Sequence, residues 1–201
     1  MIPAKAEITD GRRQRSADSK QRIVAAMLEL VREGKIAPTA EEVAQRADVG
    51  LRTVFRRFKD MGSLYAEMAV AISAEVEPII GEPPRFDEWS RNFAELIDRR
   101  LKVYEVIAPY RVAADVHKFQ SNILLSHHLQ IVQAEREKLT SVLPDALRND
   151  EILLEALEAV LSFDMWNQLR KDQHLGPDQA GAVIFRILSR LLPGEGLEEH
   201  V

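Results

Sequence analysis

Apolar residues recur at helical spacing along most of this chain. Near the N-terminus, Ile23, Met27, Leu30 and Val31 follow the i, i+4, i+7, i+8 pattern of an amphipathic helix. Beyond residue 85 the apolar positions keep this helical period, and no segment shows the strict alternation that is typical of strands. The pattern therefore predicts an all-α protein.

The stretch 39–58, TAEEVAQRADVGLRTVFRRF, predicts two short helices joined by a tight turn. Thr39 is a good N-cap, and Glu42 three residues later completes a capping box. The turn falls between Asp48 and Gly50, because aspartate tolerates left-handed backbone and glycine accepts any conformation. The first helix is therefore expected to end at this turn, and the second to begin after it.

The second of these helices carries arginines on the faces away from its core. Val54 and Phe58 are spaced i, i+4 and face inward, whereas Arg52, Arg56 and Arg57 lie mostly on the other faces. A short arginine-bearing helix braced by a capped helix is the helix-turn-helix arrangement that enters a DNA major groove. The alternative is a surface helix pair with solvated arginines, which the agreement of cap, turn and inward positions disfavours.

The helix-turn-helix interpretation predicts a set of DNA-binding residues. Arg52 and Thr53 are expected at base edges, and Arg56, Arg57 and Lys59 at phosphates. The full predicted set is Thr39, Gly50, Leu51, Arg52, Thr53, Phe55, Arg56, Arg57 and Lys59.

Residues 19–72 resemble the DNA-binding domain of TetR-type transcriptional regulators. The resemblance is carried by the segments IVAAMLEL, TAEEVAQRADVG, TVFRRF and SLYAEM. It implies an N-terminal three-helix DNA-binding domain, followed by a helical bundle that binds a small effector and forms a homodimer. The rest of the chain matches the family only in length and helical layout.

Several residues depart from the family pattern. Asp48 stands where the turn glycine is usual, Gly50 where the recognition helix usually begins with serine, and Phe55 where tyrosine is frequent. Met61 replaces the lysine that usually opens the next helix, and Lys59 is placed to supply that charge. These departures leave the fold expectation intact, but the family's DNA contacts do not transfer residue by residue.

The chain is predicted to have three parts. Residues 1–16 form a flexible basic arm with Arg12, Arg13 and Arg15, which either tracks DNA or is simply solvated. Residues 17–80 form the DNA-binding domain with its linking helix. Residues 81–201, after the break at Gly-Glu-Pro-Pro, form the regulatory and dimerisation domain.

Charge is distributed unevenly between the two ends of the chain. The whole chain has a net charge of −5. Residues 1–60 carry 13 basic and 9 acidic residues, a balance of +4, which leaves 27−13 = 14 basic and 32−9 = 23 acidic residues, a balance of −9, for 61–201. A basic N-terminal part and an acidic remainder are typical of a protein that meets DNA through one end.

The region after residue 85 predicts a bundle of helices. Pro109 is expected to interrupt its first helix, and one long helix is expected over about 150–174. Aromatic residues and a histidine are candidates for an effector pocket, although aromatic residues at helical spacing are usually core. The pocket candidates are Trp89, Phe93, Tyr104, Tyr110, Phe119, His128, Phe163 and Trp166.

The last two long helical segments carry more apolar residues than one buried face requires. A second buried face would arise in a two-fold homodimer, as is usual for TetR-type proteins. The alternative is a central helix buried within its own subunit. The predicted interface residues are Leu157, Leu161, Ala180, Ile184, Ile187, Leu188 and Leu191.

Enzyme chemistry finds little support in the sequence. There is no cysteine, no His-Glu-x-x-His, no G-x-S-x-G and no nucleotide-binding glycine motif. We predict no catalytic residue, metal site or cofactor, and a cytoplasmic protein without a membrane span. The expected function is a homodimeric repressor released from a DNA operator by a small hydrophobic or amphipathic ligand. A ligand-independent activator or adaptor, or a helical enzyme or carrier with a relic DNA-binding domain, are the alternatives.

Overall fold

The computed structural model describes the backbone of residues 6–119 and 121–193, with side chains from residue 17 onward. Regular structure within these residues is entirely helical. The helices are α1 (Ala6–Arg32), α2 (Ala40–Arg46), α3 (Leu51–Arg57), α4 (Met61–Ile80), α5 (Trp89–Lys118), α6 (Asn122–Val142), α7 (Asp145–Arg148), α8 (Glu151–Val160), α9 (Phe163–Asn167), a π-helical turn (Gln168–Asp172) and α10 (Pro177–Leu191). The predicted all-α fold with an N-terminal helix-turn-helix is confirmed.

The chain divides into two compact units that do not follow the predicted division at residue 81. The first unit takes the residues up to 73 together with 109–128, and the second takes 74–108 together with those from 129 onward. Helices α4, α5 and α6 each contribute residues to both units, which is why a linear boundary does not describe them. The assignment of 81–201 as a regulatory and dimerisation domain stays a prediction.

Helix α1 begins well before the N-cap predicted at Asp18 or Ser19. It starts at Ala6, so residues 6–16 of the predicted flexible arm are helical, while residues 1–5 lie outside the described residues. The apolar stripe begins only at Ile23, so hydrophobic periodicity could not indicate the earlier turns. Arginine, glutamine and alanine in this segment have high helix propensity and are compatible with the longer helix.

The core of the first unit joins α1, α2, α3 and α4. The inward stripe of α1 meets small and β-branched residues of α2, which let the two helices approach closely. Aromatic and long aliphatic side chains of α4 complete the core. Its buried residues include Ile23, Met27, Val31, Val43, Ala44, Val54, Phe58, Leu64, Tyr65 and Met68.

Two helix predictions in the later part of the chain are wrong. Pro109 does not interrupt its helix, and α5 continues through it to Lys118. Tyr104 and Ala113, on either side of the proline, are buried, and their burial stabilises the helix although the proline has no N–H to donate. The helix predicted over 150–174 is divided at Ser162, whose hydroxyl accepts a hydrogen bond from Met165 N (3.1 Å) and starts α9 anew.

The core of the second unit is built around α5, α8 and α10. Its most deeply buried side chains include Phe93, Ile97, Tyr104, Leu139, Leu157, Leu161, Trp166, Ile184 and Leu188. Within the described part of the chain, no helix is both long and apolar enough to cross a membrane.

Candidate nucleic-acid interface

The first helix of the predicted pair begins with the expected capping box. Glu42 N donates to Thr39 Oγ1 (3.3 Å), and Thr39 N donates to Glu42 Oε2 (2.9 Å). Lys35 also pairs with Glu42, and this hydrogen bond is the main reason that the pKa of the Glu42 carboxyl is lowered. The cap predicted from sequence is confirmed, and it fixes where α2 starts.

The turn after α2 is a Schellman motif centred on an aspartate. Val49 N donates to Ala44 O (3.0 Å) and Asp48 N donates to Gln45 O (3.2 Å), while Asp48 has a positive φ of 51°. Gly50 has φ −69° and ψ 145°, which other residues adopt readily, and a Cβ there would meet no atom within 4 Å. The left-handed residue of the turn is therefore Asp48, and Gly50 serves as the N-cap of α3.

Helix α3 turns its apolar residues inward, as predicted. Val54 and Phe58 are 1% and 3% exposed. Arg52 and Arg56, also spaced i, i+4, lie on the opposite side of the helix and are exposed. The flanking Phe55 is 52% exposed, so α3 presents an arginine-rich outer face bordered by an aromatic ring.

Most of the predicted DNA-binding residues lie along this outer face or at the helix ends. Thr39, Gly50 and Lys59 are exposed. Leu51, Thr53 and Arg57 are half-buried at the edges of α3 and reach solvent with part of their side chains. The structure thus places 50–57 on one short helix and its cap, with Lys59 immediately after it. Their role in DNA binding stays a prediction.

Arg46 of α2 has a different position from the arginines of α3. Its Nη1 and Nη2 donate to Glu33 (2.8 and 2.7 Å), and Nη1 lies 3.4 Å from Glu29 on the same face of α1. Within the described residues, no acidic side chain forms an ion pair with Arg52 or Arg56. Arg46 therefore braces α2 against α1, while Arg52 and Arg56 of α3 face solvent.

The brace was not identified from the sequence, although a signal exists. Glu29 and Glu33 are spaced i, i+4 on α1, so both carboxylates lie on one face of that helix. The pKa of Glu33 is lowered, chiefly by its hydrogen bond to Arg46. All three side chains are partly exposed, so the brace orients α2 more than it stabilises the fold.

The predicted pocket residues are divided between the two compact units. Tyr110, Phe119 and His128 belong to the first unit. The second unit holds Trp89, Phe93, Tyr104, Phe163 and Trp166. The structure therefore does not bring the whole set together within one unit.

The aromatic residues of the second unit are largely engaged with each other and with the protein. Tyr104 donates its hydroxyl proton to Leu161 O (2.8 Å), and its ring meets Phe163 edge-on at 5.5 Å. Trp166 Nε1 donates to Glu105 Oε1 (3.0 Å). Phe93 is fully buried, with the half-buried Trp89 ring 6.0 Å away. These contacts are typical of core aromatic residues.

The pocket candidates of the first unit have three different environments. Tyr110 is buried, with the Arg32 guanidinium carbon 5.7 Å from its ring centroid. His128 Nδ1 lies 2.7 Å from Arg111 Nη2. Phe119 is 83% exposed just beyond the end of α5, with Lys118 Nζ 5.1 Å from its ring centroid. A pocket role for Phe119 does not fit this position, because its ring faces solvent.

Most of the predicted interface residues are core residues of a single chain. Leu157, Leu161, Ala180, Ile184 and Leu188 are buried within the one subunit and have almost no surface to offer a partner. This corrects the prediction in favour of the alternative that these helices are internal. Ile187 and Leu191, on an adjacent face of α10, are half-exposed.

The comparisons with known proteins establish the fold. No family model matches the chain, and no curated protein matches it. Among solved structures, a transcriptional regulator from Rhodococcus sp. Rha1 is similar with a TM-score of 0.67, over 87% of this chain and 96% of that chain, at 18% sequence identity. A likeness at this identity supports the shared all-α architecture.

Proposed function

We propose that this protein is a DNA-binding transcriptional regulator of the TetR type. The observation that carries the proposal is the outer face of α3, where Arg52 and Arg56 face solvent on a short helix fixed by a capped and braced α2. The similar protein from Rhodococcus is a transcriptional regulator by name, which adds support. An internally stabilised scaffold that presents arginines on an outward helix suits major-groove binding.

In the proposed complex, α3 lies in the major groove of DNA. Arg52 and Thr53, near the start of the helix, contact base edges, where arginine pairs bidentately with guanine. Arg56, Arg57 and Lys59 contact phosphates and set the register of the helix in the groove. Sequence preference therefore depends on the first turn of α3, and overall affinity on its later residues.

The proposed regulator is a homodimer, with an interface revised from the sequence prediction. Helices α8 and α10 of the second unit each carry an outward-facing apolar stripe. Ile152, which is 84% exposed, lies on α8 one turn from Ala156 and two turns from Ala159. On α10, Val183, Ile187 and Leu191 form a half-exposed stripe at i, i+4, i+8. These residues are our candidates for the second apolar face, because apolar side chains that reach the surface favour a partner subunit.

Release by a small hydrophobic or amphipathic ligand completes the proposal. A ligand releases DNA only if it binds the non-binding conformation more tightly than the DNA-bound one. A panel of metabolites added to the protein–operator complex tests this step by shift assay. Release by at least one compound supports the repressor mechanism, and retention with all of them favours the ligand-independent activator or adaptor.

Selection of DNA from a random-sequence pool tests the proposed function directly. We expect enrichment of a pseudo-palindrome whose half-sites are separated by about one helical turn, roughly 34 Å. The selected duplex should bind with an affinity that falls steeply with salt, because phosphate contacts release counterions. A pool that remains unenriched after repeated rounds, with binding to none of its members at low salt, contradicts the proposal.

A further inference from the structure

The connection between α4 and α5 is held by hydrogen bonds at both ends. Gly81, with φ +57°, ends α4 by donating its N–H to Glu77 O (3.0 Å). Arg99 of α5 then donates from Nη1 to Ile80 O (2.8 Å) and to Glu82 O (2.6 Å). One guanidinium thus binds the last residue of α4 and the second residue after it.

A further hydrogen bond, from Nε of Arg99, fixes the guanidinium on its own helix. Nε donates to Glu95 Oε1 (2.6 Å), one turn earlier on α5. The planar fork of arginine can hold these acceptors at once, whereas a lysine ammonium has no such fixed geometry. A cation at the end of α4 also meets the negative end of the helix dipole. Arg99 therefore connects α4 to α5 through a defined side chain.

The other end of the connection is fixed by Asn92. Its Oδ1 accepts from Phe86 N (2.8 Å), and its Nδ2 donates to Phe86 O (2.9 Å). The Arg91 guanidinium carbon lies 4.4 Å from the Phe86 ring centroid. The segment containing Pro83 and Pro84, which the sequence indicated as a break between domains, is thus tied to α5 on both sides.

Gly81 is needed for this joint for two reasons. Its positive φ is a conformation that other residues adopt at a cost. A Cβ at this position would also lie 3.2 Å from Arg99 Nη1, tighter than ordinary contact. Substitution of Gly81 therefore disturbs the joint from the α4 side, and substitution of Arg99 disturbs it from the α5 side.

We propose that Arg99 is a positioning residue for operator binding, a role that rests on the proposed function of a dimeric regulator. Helix α4 is continuous, with residues 61–73 in the first unit and 74–80 in the second. Arg99 fixes the C-terminal end of this helix to α5 within the second unit, and in the proposed role this contact keeps the helix that leads to α3 in one position on the second unit. Once one subunit of the dimer has bound its half-site, the other binds the second half-site at a high effective concentration. A loose joint would lower that effective concentration.

Binding to a full operator and binding to a half-site should depend differently on Arg99, whereas a general structural defect would lower both affinities together. A single half-site needs only the α3 of one subunit, and Arg99 is not part of that helix. A full operator needs two such helices at a fixed separation. Loss of Arg99 should therefore weaken binding to the full operator while binding to a half-site duplex stays the same.

The test compares Arg99→Ala and Gly81→Ala with Lys102→Ala as the matched control. Lys102 pairs with Asp98 (2.6 Å) at the same i, i+4 spacing on the same helix, with no bond to α4 among the described contacts. Each variant is titrated with the selected full operator and with a half-site duplex by fluorescence anisotropy. Circular dichroism and thermal melting establish that each variant is folded. If Arg99→Ala does not fold, the operator and half-site affinities of Gly81→Ala test the proposal.

We expect full-operator affinity to fall at least about tenfold in both joint variants, which is part of the roughly 10²–10⁴-fold gain that two linked contacts provide. Half-site affinity should remain within about twofold, and Lys102→Ala should match wild type for both duplexes. Unchanged full-operator affinity, or an equal fall for both duplexes, would overturn the role of Arg99 alone. Wild-type protein that binds full and half-sites equally would instead overturn the dimeric mechanism, and the inference with it.

Discussion

Helices α3 and α10 are both amphipathic, but their outer faces differ in chemistry. Each buries one apolar stripe, carried by Val54 in α3 and by Ile184 in α10. The outer face of α3 carries exposed Arg52 and Arg56, whereas α10 has a second, half-exposed apolar stripe that includes Ile187. The buried faces account for the fold, and the outer faces are the basis of the two proposed partners: a polyanion for α3 and an apolar protein surface for α10.

Charge substitutions at two adjacent positions of α10 test this distinction with the largest expected effect. Leu188 is fully buried, so Leu188→Glu places an unpaired carboxylate in the core, costs several kcal/mol and should unfold the protein. Ile187 is half-exposed, so Ile187→Glu should stay folded but become monomeric. Circular dichroism melting and light scattering measure the two outcomes.

Two results would contradict the proposed roles of the α10 faces. A folded Leu188→Glu dimer would show that this side chain is not core. An Ile187→Glu protein with unchanged dimer mass would place the interface on other residues, such as the exposed stripe of α8 around Ile152.

The same contrast explains how much of the molecule could be predicted from the sequence. Helix α3 was assigned correctly because its inward and outward residues differ in kind, so Val54 and Arg52 could be placed on opposite faces. In α10, Leu188 and Ile187 are both aliphatic, and periodicity does not distinguish a core stripe from an interface stripe. The predicted interface therefore included residues that the subunit buries within itself.

Features that depend on contacts distant in sequence could not be predicted. The bonds from Arg99 to the end of α4 join residues in different helices, and no local pattern indicates them. The sequence indicated a break at the Gly-Glu-Pro-Pro segment, which is correct for the helix ending at Ile80. It could not show that Asn92 and Arg99 tie that segment down.

An ion pair near the start of α10 should make the stability of the second unit depend on pH. Arg170 Nε and Nη2 donate to Glu105 (2.8 and 2.9 Å), and Arg170 Nη1 also donates to Leu175 O, just before α10 begins. The hydrogen bond to Arg170 is the main reason that the pKa of Glu105 is lowered. Stability from this pair is therefore present above the unfolded carboxyl pKa of about 4.3 and is lost as pH falls through the lower folded pKa.

Glu105→Gln should accordingly lower the free energy of unfolding by about 1 kcal/mol at pH 7, since the pair is partly exposed. Urea unfolding followed by Trp fluorescence measures the difference, because buried Trp166 bonds to the same carboxylate. The difference between variant and wild type should shrink as pH is lowered toward 3. A difference that stays constant with pH would mean that the carboxylate charge does not contribute.

The turn before α3 provides the smallest expected effect. Asp48 has φ 51°, which glycine adopts without steric cost, so Asp48→Gly should raise the free energy of unfolding by up to about 1 kcal/mol. DNA affinity should be unchanged, because α3 is not altered. Gly50→Ala is the control: its φ of −69° and the open space at its Cβ mean that alanine adds no strain, so only its weaker N-cap preference should lower the free energy of unfolding, by roughly 0.5–1 kcal/mol. Destabilisation by Asp48→Gly would show that the aspartate side chain itself supports the turn.

The most direct test of the account is the affinity of Arg52→Ala for the selected operator and for a scrambled duplex of equal length. Arg148→Ala, an exposed arginine of α7, serves as the control. If the outer face of α3 reads DNA, Arg52→Ala should lose about 1–3 kcal/mol of binding free energy on the operator and much less on the scrambled duplex, while Arg148→Ala matches wild type on both. An Arg52→Ala protein with full operator affinity and full discrimination between the duplexes would contradict the assignment of α3 as the recognition helix.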